Sequence, residues 1–288
     1  MKMFKSKGIP LHKLFPSIIT ILALCVGTSS IKFALEGKFE FATMLLLLSC
    51  ILDVLDGRVA RMLHATSDFG AHLDSLADMV NFGAVPAIVL YLQIMDWANY
   101  PIHNLISNTE NKFLWLSLLV YISCGALRLA RFNVQSFGKK DQKQKPKYEQ
   151  DDYDIAYMNL ISSGHFSNGV PITVAAILVL VPVMASFKLC DYNSIILSTW
   201  FIIIYCIIIS SLMVCPVPTF TTKRIRIAKK YIPFVLVGFI IMIAFLLLYP
   251  WIYMPIISLI YLGSIPFSIW RCRTLINQTV DQQKIEGF

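Results

Sequence analysis

Long apolar runs separated by short charged stretches organise this chain, and their lengths match the roughly 20 residues a helix needs to cross a hydrocarbon core. The runs fall at residues 14–35, 39–63, 72–97, 112–134, 166–187, 193–214, 231–249 and 251–271, which predicts an all-α, polytopic bundle of about eight transmembrane helices. Acids interrupt the second and third, and the third also carries Gly83 and Pro86, so both are expected to face the bundle interior. So little chain lies outside the runs that residues 1–288 are expected to form a single integral-membrane domain.

Composition supports that reading, with 57% apolar and 15% charged residues and a mean hydropathy of +0.66. Soluble domains carry roughly 25% charged residues. Lys and Arg alternate across the connections. They cluster before the first helix (Lys2, Lys5, Lys7, Lys13), after the second (Arg58, Arg61), after the fourth (Arg131 to Lys147), after the sixth (Lys223 to Lys230) and at the carboxyl end (Arg271, Arg273, Lys284). The odd-numbered connections hold only Lys38, Lys112 and Lys188. This predicts cytoplasmic termini and a cytoplasmic turn after helix two. The net charge of +8 then forms a belt for anionic headgroups, and nucleic-acid binding is not expected. Residues 136–160, basic then acidic, read as a hydrated cytoplasmic connection. Lys2 to Lys13 and the apolar run after them imitate a signal peptide without a small-x-small cleavage site, so the segment is kept as helix one. The seven cysteines are dispersed and form no CxxC pair, so no disulfide framework or thiolate metal site is indicated.

The charged exceptions inside the apolar runs carry the chemistry. Asp53 and Asp56 are three apart and Asp74 and Asp78 four apart, so each pair occupies one face of a helix, and a hairpin turning between Arg61 and Phe69 would set the pairs opposite one another. Four convergent carboxylates need countercharge. Hard oxygen donors alone favour Mg²⁺, Mn²⁺ or Ca²⁺ over zinc, and a carboxylate-held Mg²⁺ commonly completes its shell with substrate phosphates. Gly57, Ala60 and Gly70 leave backbone bare beside the acids, which suits the close approach of a flat base or a diphosphate. Each position alone also has a structural reading, as an acid paired with Arg58 or Arg61 or as a glycine for helix packing. The spacing of the whole set favours function.

These residues, Asp53-x2-Asp56-Gly57-x2-Ala60-Arg61-x8-Gly70-x3-Asp74-x3-Asp78, resemble the signature of the CDP-alcohol phosphatidyltransferases, which move a phosphatidyl group from a CDP-linked lipid to an alcohol and release CMP. The resemblance implies that Asp53, Asp56, Asp74 and Asp78 hold divalent metal, Mg²⁺ or Mn²⁺ and two ions in all, with Asp78 also acting as the catalytic base. It implies that Gly57, Ala60, Arg61 and Gly70 bind CDP-diacylglycerol, joined by Thr20 of a Pro16-Ser17-Ile18-Ile19-Thr20 element in which Ser17 stands where the family usually has Asn. A homodimer is also implied.

Outside the signature the chain is similar to the bacterial membrane-type phosphatidylserine synthase branch. The likeness rests on Glu36-Gly37-Lys38-Phe39-Glu40, on Asp74 to Gly83 with Asn81 replacing a more usual small residue, on Gly125 to Asn133, and on Phe166-x2-Gly169-Val170-Pro171. It implies L-serine as acceptor and phosphatidylserine as product in phospholipid biosynthesis, with Arg128, Arg131 and Asn133 as serine-binding residues. Arg128 and Arg131, three apart near the cytoplasmic end of helix four, are suited to clamp a carboxylate through two hydrogen bonds. Anchoring to lipid phosphate is the plainer reading of both, and of Lys223, Arg224 and Arg226. His64, His72 and His165 are not expected to be catalytic. Glycerol 3-phosphate is the alternative acceptor. An ion-coupled transporter is the alternative class, disfavoured because the acids concentrate in one hairpin and no internal repeat is visible.

Overall fold

A computed structural model describes residues 14–65, 67–98, 108–138, 166–188, 198–215, 217–220, 237–238, 244–246 and 248–286. The chain divides into two compact units, Met1–Leu129 and Ala130–Phe288.

In the first unit, α1 (Phe15–Leu35) packs against α2 (Phe39–Met62), α3 (Asp68–Asp78), a π-helical turn (Met79–Ala84) and α4 (Val85–Ala98). α1 can approach closely because its buried stripe is mostly small: Pro16, Thr20, Ala23, Gly27, Ser30 and Ala34, spaced alternately by four and three. Both turns of this unit close with the same pair of hydrogen bonds. After α1, Gly37 N–H donates to Ala34 O and Lys38 N–H to Phe33 O, with Gly37 at φ 75. After α2, His64 N–H donates to Arg61 O and Ala65 N–H to Ala60 O, and the left-handed position at φ 48 is occupied by His64, where glycine is the usual choice. Lys38 Nζ donates to Glu36 at 2.8 Å, which holds the Glu36 carboxyl below its usual range.

α3 begins at Asp68, earlier than the apolar run suggested, because Ser67 caps it: the Ser67 hydroxyl accepts from Gly70 N–H at 3.0 Å. The π-helical turn follows directly, its wide hydrogen bond running from Val85 N–H to Val80 O. Pro86 has no N–H for the carbonyl four residues back, that of Phe82. Tyr121 Oη, on α5 (Asn108–Gly138), donates to that carbonyl at 2.7 Å, and both residues are fully buried.

In the second unit, β1 (Phe166–Asn168) pairs antiparallel with β2 (Pro218–Phe220), a short ribbon that the all-helical expectation lacked. The run at 166–187 was expected as one helix. It divides into this strand, α6 (Ile172–Val179) and α7 (Val181–Lys188), because Pro182 cannot serve the carbonyl of Leu178. Tyr205 Oη, on α8 (Thr199–Val214), donates to Leu178 O at 2.8 Å. Gly169, at φ 74, lies so close to the end of α8 that a Cβ would stand 3.2 Å from the carbonyls of Met213 and Cys215. α9 (Pro250–Glu286) packs on α7, with Phe187 edge-on to Trp251 at 4.8 Å, and Ser268 Oγ donates to Pro218 O at 2.6 Å.

Among the described residues, four helical stretches are long and apolar enough to cross a membrane: Phe15–Leu35, Asp68–Asp96, Thr109–Val134 and Pro250–Ile276. α2 matches them in length but carries Asp53, Asp56, Arg58 and Arg61, and the apolar helices Ile172–Lys188 and Thr199–Val214 are shorter. Most of the run at 231–249, the connection from 139 to 160, His165, and Lys223, Arg224 and Arg226 lie outside the described residues.

The two tyrosine hydroxyls predict a matched pair of losses. Tyr121→Phe and Tyr205→Phe should each destabilise their unit by about 1–3 kcal/mol by stripping a buried carbonyl of its donor. Thermal unfolding in detergent reads this, and an unchanged midpoint for both would refute it.

Candidate active site

α2 and α3 flank the turn at 63–67, and their acidic faces meet. One carboxylate oxygen from each of Asp53, Asp56 and Asp74 lies within 4.8 Å of the others, and Asp78 is hydrogen-bonded to Asp53. All four sequence-predicted acids therefore converge. Asp56 is buried, at 3% exposure, and Thr20 on α1 donates its hydroxyl to Asp56 Oδ2 at 2.6 Å. The same Thr20 oxygen stands 3.1 Å from the Pro16 carbonyl, so the hydroxyl is held between its own helix and the acid. A donor set of carboxylate oxygens without sulfur or imidazole fits a hard divalent cation.

A cavity of about 300 Å³ opens beside the acids, lined by Pro16, Ser17, Thr20, Asp56, Gly57, Ala60, Arg61, Ala65, Ser67, Gly70, Ala71 and Asp74. Every nucleotide-site residue expected from the sequence is in this lining. A Cβ built on Gly57 would meet nothing within 4 Å and would project into free space, whereas one on Gly70 would come within 3.1 Å of Ser67 Oγ and 3.8 Å of Ser17 Oγ. Arg61 Nε donates to Gly57 O at 3.0 Å, which folds the guanidinium back along α2 at the cavity wall. Arg128, half-buried, and Arg131, exposed, follow on α5 with Asn133, and none belongs to this lining among the described residues. One Arg131 N–H goes to the Val214 carbonyl at 3.0 Å, at the end of α8.

Sequence reasoning missed Ser67, Ala65 and Ala71 as lining. A serine directly ahead of a helix start was a readable signal for a cap, and that cap is what brings the amino terminus of α3 to the cavity. His64 serves the backbone turn, and His72 is exposed.

Apolar helices long enough to cross a membrane and a carboxylate cluster that could hold a metal ion beside a small-residue cavity suit a multi-pass membrane protein. Comparison with known proteins narrows this. The chain belongs to the CDP-alcohol phosphatidyltransferase family: the model of that name matches residues 13–188, and a second, CDP-alcohol phosphatidyltransferase 2, matches residues 230–266. It is 33% identical over 263 residues to a CDP-diacylglycerol--serine O-phosphatidyltransferase of Mycobacterium leprae (strain TN), spanning 91% of this chain and 77% of that one. A protein of the same name from Helicobacter pylori (strain J99) is 39% identical over 127 residues, covering 44% of this chain and 48% of that one. An archaetidylserine synthase of Methanothermobacter thermautotrophicus is 33% identical over 144 residues, covering 48% and 55% respectively.

The open space at Gly57 yields a prediction with opposite signs. Gly57→Ala should raise thermal stability by about 1 kcal/mol through helix propensity. It should also weaken binding of a cytidine nucleotide, measured by titration calorimetry with CDP, because the methyl group enters the cavity. Tighter or equal CDP binding would refute this role for the bare backbone.

Proposed function

We infer that this protein transfers the phosphatidyl group of CDP-diacylglycerol to the hydroxyl of L-serine, giving phosphatidylserine and CMP. The observation that carries the reading is the convergence of Asp53, Asp56 and Asp74 on one wall of a cavity whose other walls are glycine, alanine and small hydroxyl residues. The serine acceptor is supported by the names of relatives that span most of the chain.

In this reading Asp53, Asp56 and Asp74 hold a divalent cation, Mg²⁺ or Mn²⁺, and Asp78 contributes to a second. Bound there, the metal supplies charge neutralisation for the diphosphate and a template that orients it. Thr20 fixes the rotamer of Asp56 by its 2.6 Å hydrogen bond. Gly57, Ala60 and Gly70 admit the cytidine and diphosphate to van der Waals contact with backbone. The amino terminus of α3 at Ser67 to Gly70 adds a favourable dipole for phosphate. Arg61 lies beside the diphosphate. The serine oxygen bonds to the β-phosphorus as that phosphorus loses its bond to the bridging oxygen, CMP departs with the electron pair, and Asp78 accepts the serine hydroxyl proton. Arg128, Arg131 and Asn133 are assigned to serine, whose carboxylate suits a guanidinium fork. The Lys and Arg asymmetry supports eight spans, cytoplasmic termini, an inner-membrane location and an active site open to the cytoplasm. A single functional domain and a homodimer complete the proposal.

CMP release from CDP-diacylglycerol should be much faster with serine than with glycerol 3-phosphate or inositol, should stop on chelation, and should return with Mn²⁺ or Mg²⁺. Preference for glycerol 3-phosphate would replace the acceptor assignment, and turnover unaffected by chelation would remove the metal. Asp78→Asn should lower kcat by about 100-fold or more, the scale of a lost general base. Arg131→Ala should raise KM for serine far more than KM for CDP-diacylglycerol, and equal effects would reject Arg131 as an acceptor residue.

A further inference from the structure

The mechanism gives the buried side chain of Asn81 no task. Asn81 sits in the π-helical turn immediately after Asp78, and only 2% of it is exposed. Asp74, Asp78 and Asn81 are spaced by four and three, so Asn81 continues the acidic stripe of α3. Its Nδ2 donates to Ala23 O on α1 at 3.0 Å. The carboxamide also lies directly on Gly27, one turn further along α1, where a Cβ would overlap its oxygen and carbon. Its Oδ1 is buried with no partner among the described residues, a cost that a small apolar residue would not carry. Thr20, which grips Asp56, belongs to the same α1 stripe as Ala23 and Gly27. One face of α1 therefore holds Asp56 through a hydroxyl and the segment following Asp78 through a backbone carbonyl.

We propose that Asn81 is a positioning residue for Asp78: seated on Gly27 and tethered to Ala23 O, it fixes the rotation of α3 about its axis and so the placement of the Asp78 carboxyl beside Asp53. The inference rests on the reading of Asp78 as the group that takes the serine proton. A side chain that only packed the helices would affect unfolding. One that sets Asp78 affects turnover while the nucleotide cavity, built from other residues, stays intact.

The test is a double-mutant cycle on the full chain in detergent, reading kcat, KM for CDP-diacylglycerol and CDP binding. Asn81→Ala should lower kcat by about 10- to 100-fold, the scale of a displaced reacting group, with KM and CDP affinity changed less than about twofold. Gly27→Ala should lower kcat comparably by pushing the carboxamide away. The double variant should be no slower than Asn81→Ala alone, because the added methyl then meets empty space. An Asn81→Ala enzyme with unchanged kcat per folded protein, or losses that multiply independently in the double variant, would overturn the proposal. If Gly27→Ala does not accumulate, the split between kcat and KM in Asn81→Ala decides alone. Asp78→Asn is run alongside. Retained turnover there overturns the assignment of Asp78 on which the inference rests, whereas an inactive Asp78→Asn with a fully active Asn81→Ala overturns the inference alone.

Discussion

In an apolar surrounding, every backbone or side-chain polar group must find its partner within the protein, and that constraint governs most of what is specific in this chain. It explains why Pro86 and Pro182 each come with a tyrosine. Pro86 leaves the Phe82 carbonyl to Tyr121, and Pro182 leaves the Leu178 carbonyl to Tyr205, one instance in each unit. The hydroxyls of Thr43 and Ser49 obey the same rule more cheaply by bonding to Phe39 O and Leu46 O within α2. Phenylalanine would fill the space of either tyrosine, but it would not supply the proton.

The acidic hairpin is the sharpest case, since four carboxyl groups in an apolar bundle demand more partners than a helix can give. Thr20 supplies one, Asp53 and Asp78 share a hydrogen bond, and the clustered carboxylate oxygens could hold a metal ion. What looks like a burden on stability is also what would suit a cation: a dense set of carboxylate oxygens beside a cavity with bare backbone walls. The first helix, which carries no acid, is as much a part of this site as the two that do. Its small-residue stripe lets α2 and the π-helical turn come close enough for Thr20 to reach Asp56 and for Asn81 to reach Ala23 O.

Much of this was legible in the sequence, for definite reasons. The acids, glycines and alanine stand at helical intervals, so their convergence followed from periodicity once a turn was placed between Arg61 and Phe69, and the observed turn at 63–67 lies inside that interval. Other features were not legible because they depend on backbone choices with weak sequence marks. The π-helical turn at Met79–Ala84 adds no unusual residue apart from Asn81, the ribbon of Phe166–Asn168 with Pro218–Phe220 arises from pairing between distant segments, and the division at Leu180 turns on the single residue Pro182. Hydropathy saw one apolar run at 166–187 because it counts side chains and is blind to the missing proline N–H. Gly169 was noted only as part of a motif, and the structure gives the reason for it: left-handed backbone pressed onto the end of α8.

The tight closure between α2 and α3 has a consequence for how this sequence can vary. α2 ends on the bonded turn at His64 and α3 restarts on the Ser67 cap, so few residues separate the two helices. The interval from Asp56 to Asp74 is therefore counted out in helical phase. One residue inserted between the cap and Asp74 would swing that carboxylate by about 100° and advance it about 1.5 Å, away from Asp53 and Asp56. A residue gained or lost in this interval therefore disturbs the site more than a change of side chain on the outer face does. The fixed gaps of the acidic signature are a record of helix geometry, with the chain itself serving as the ruler.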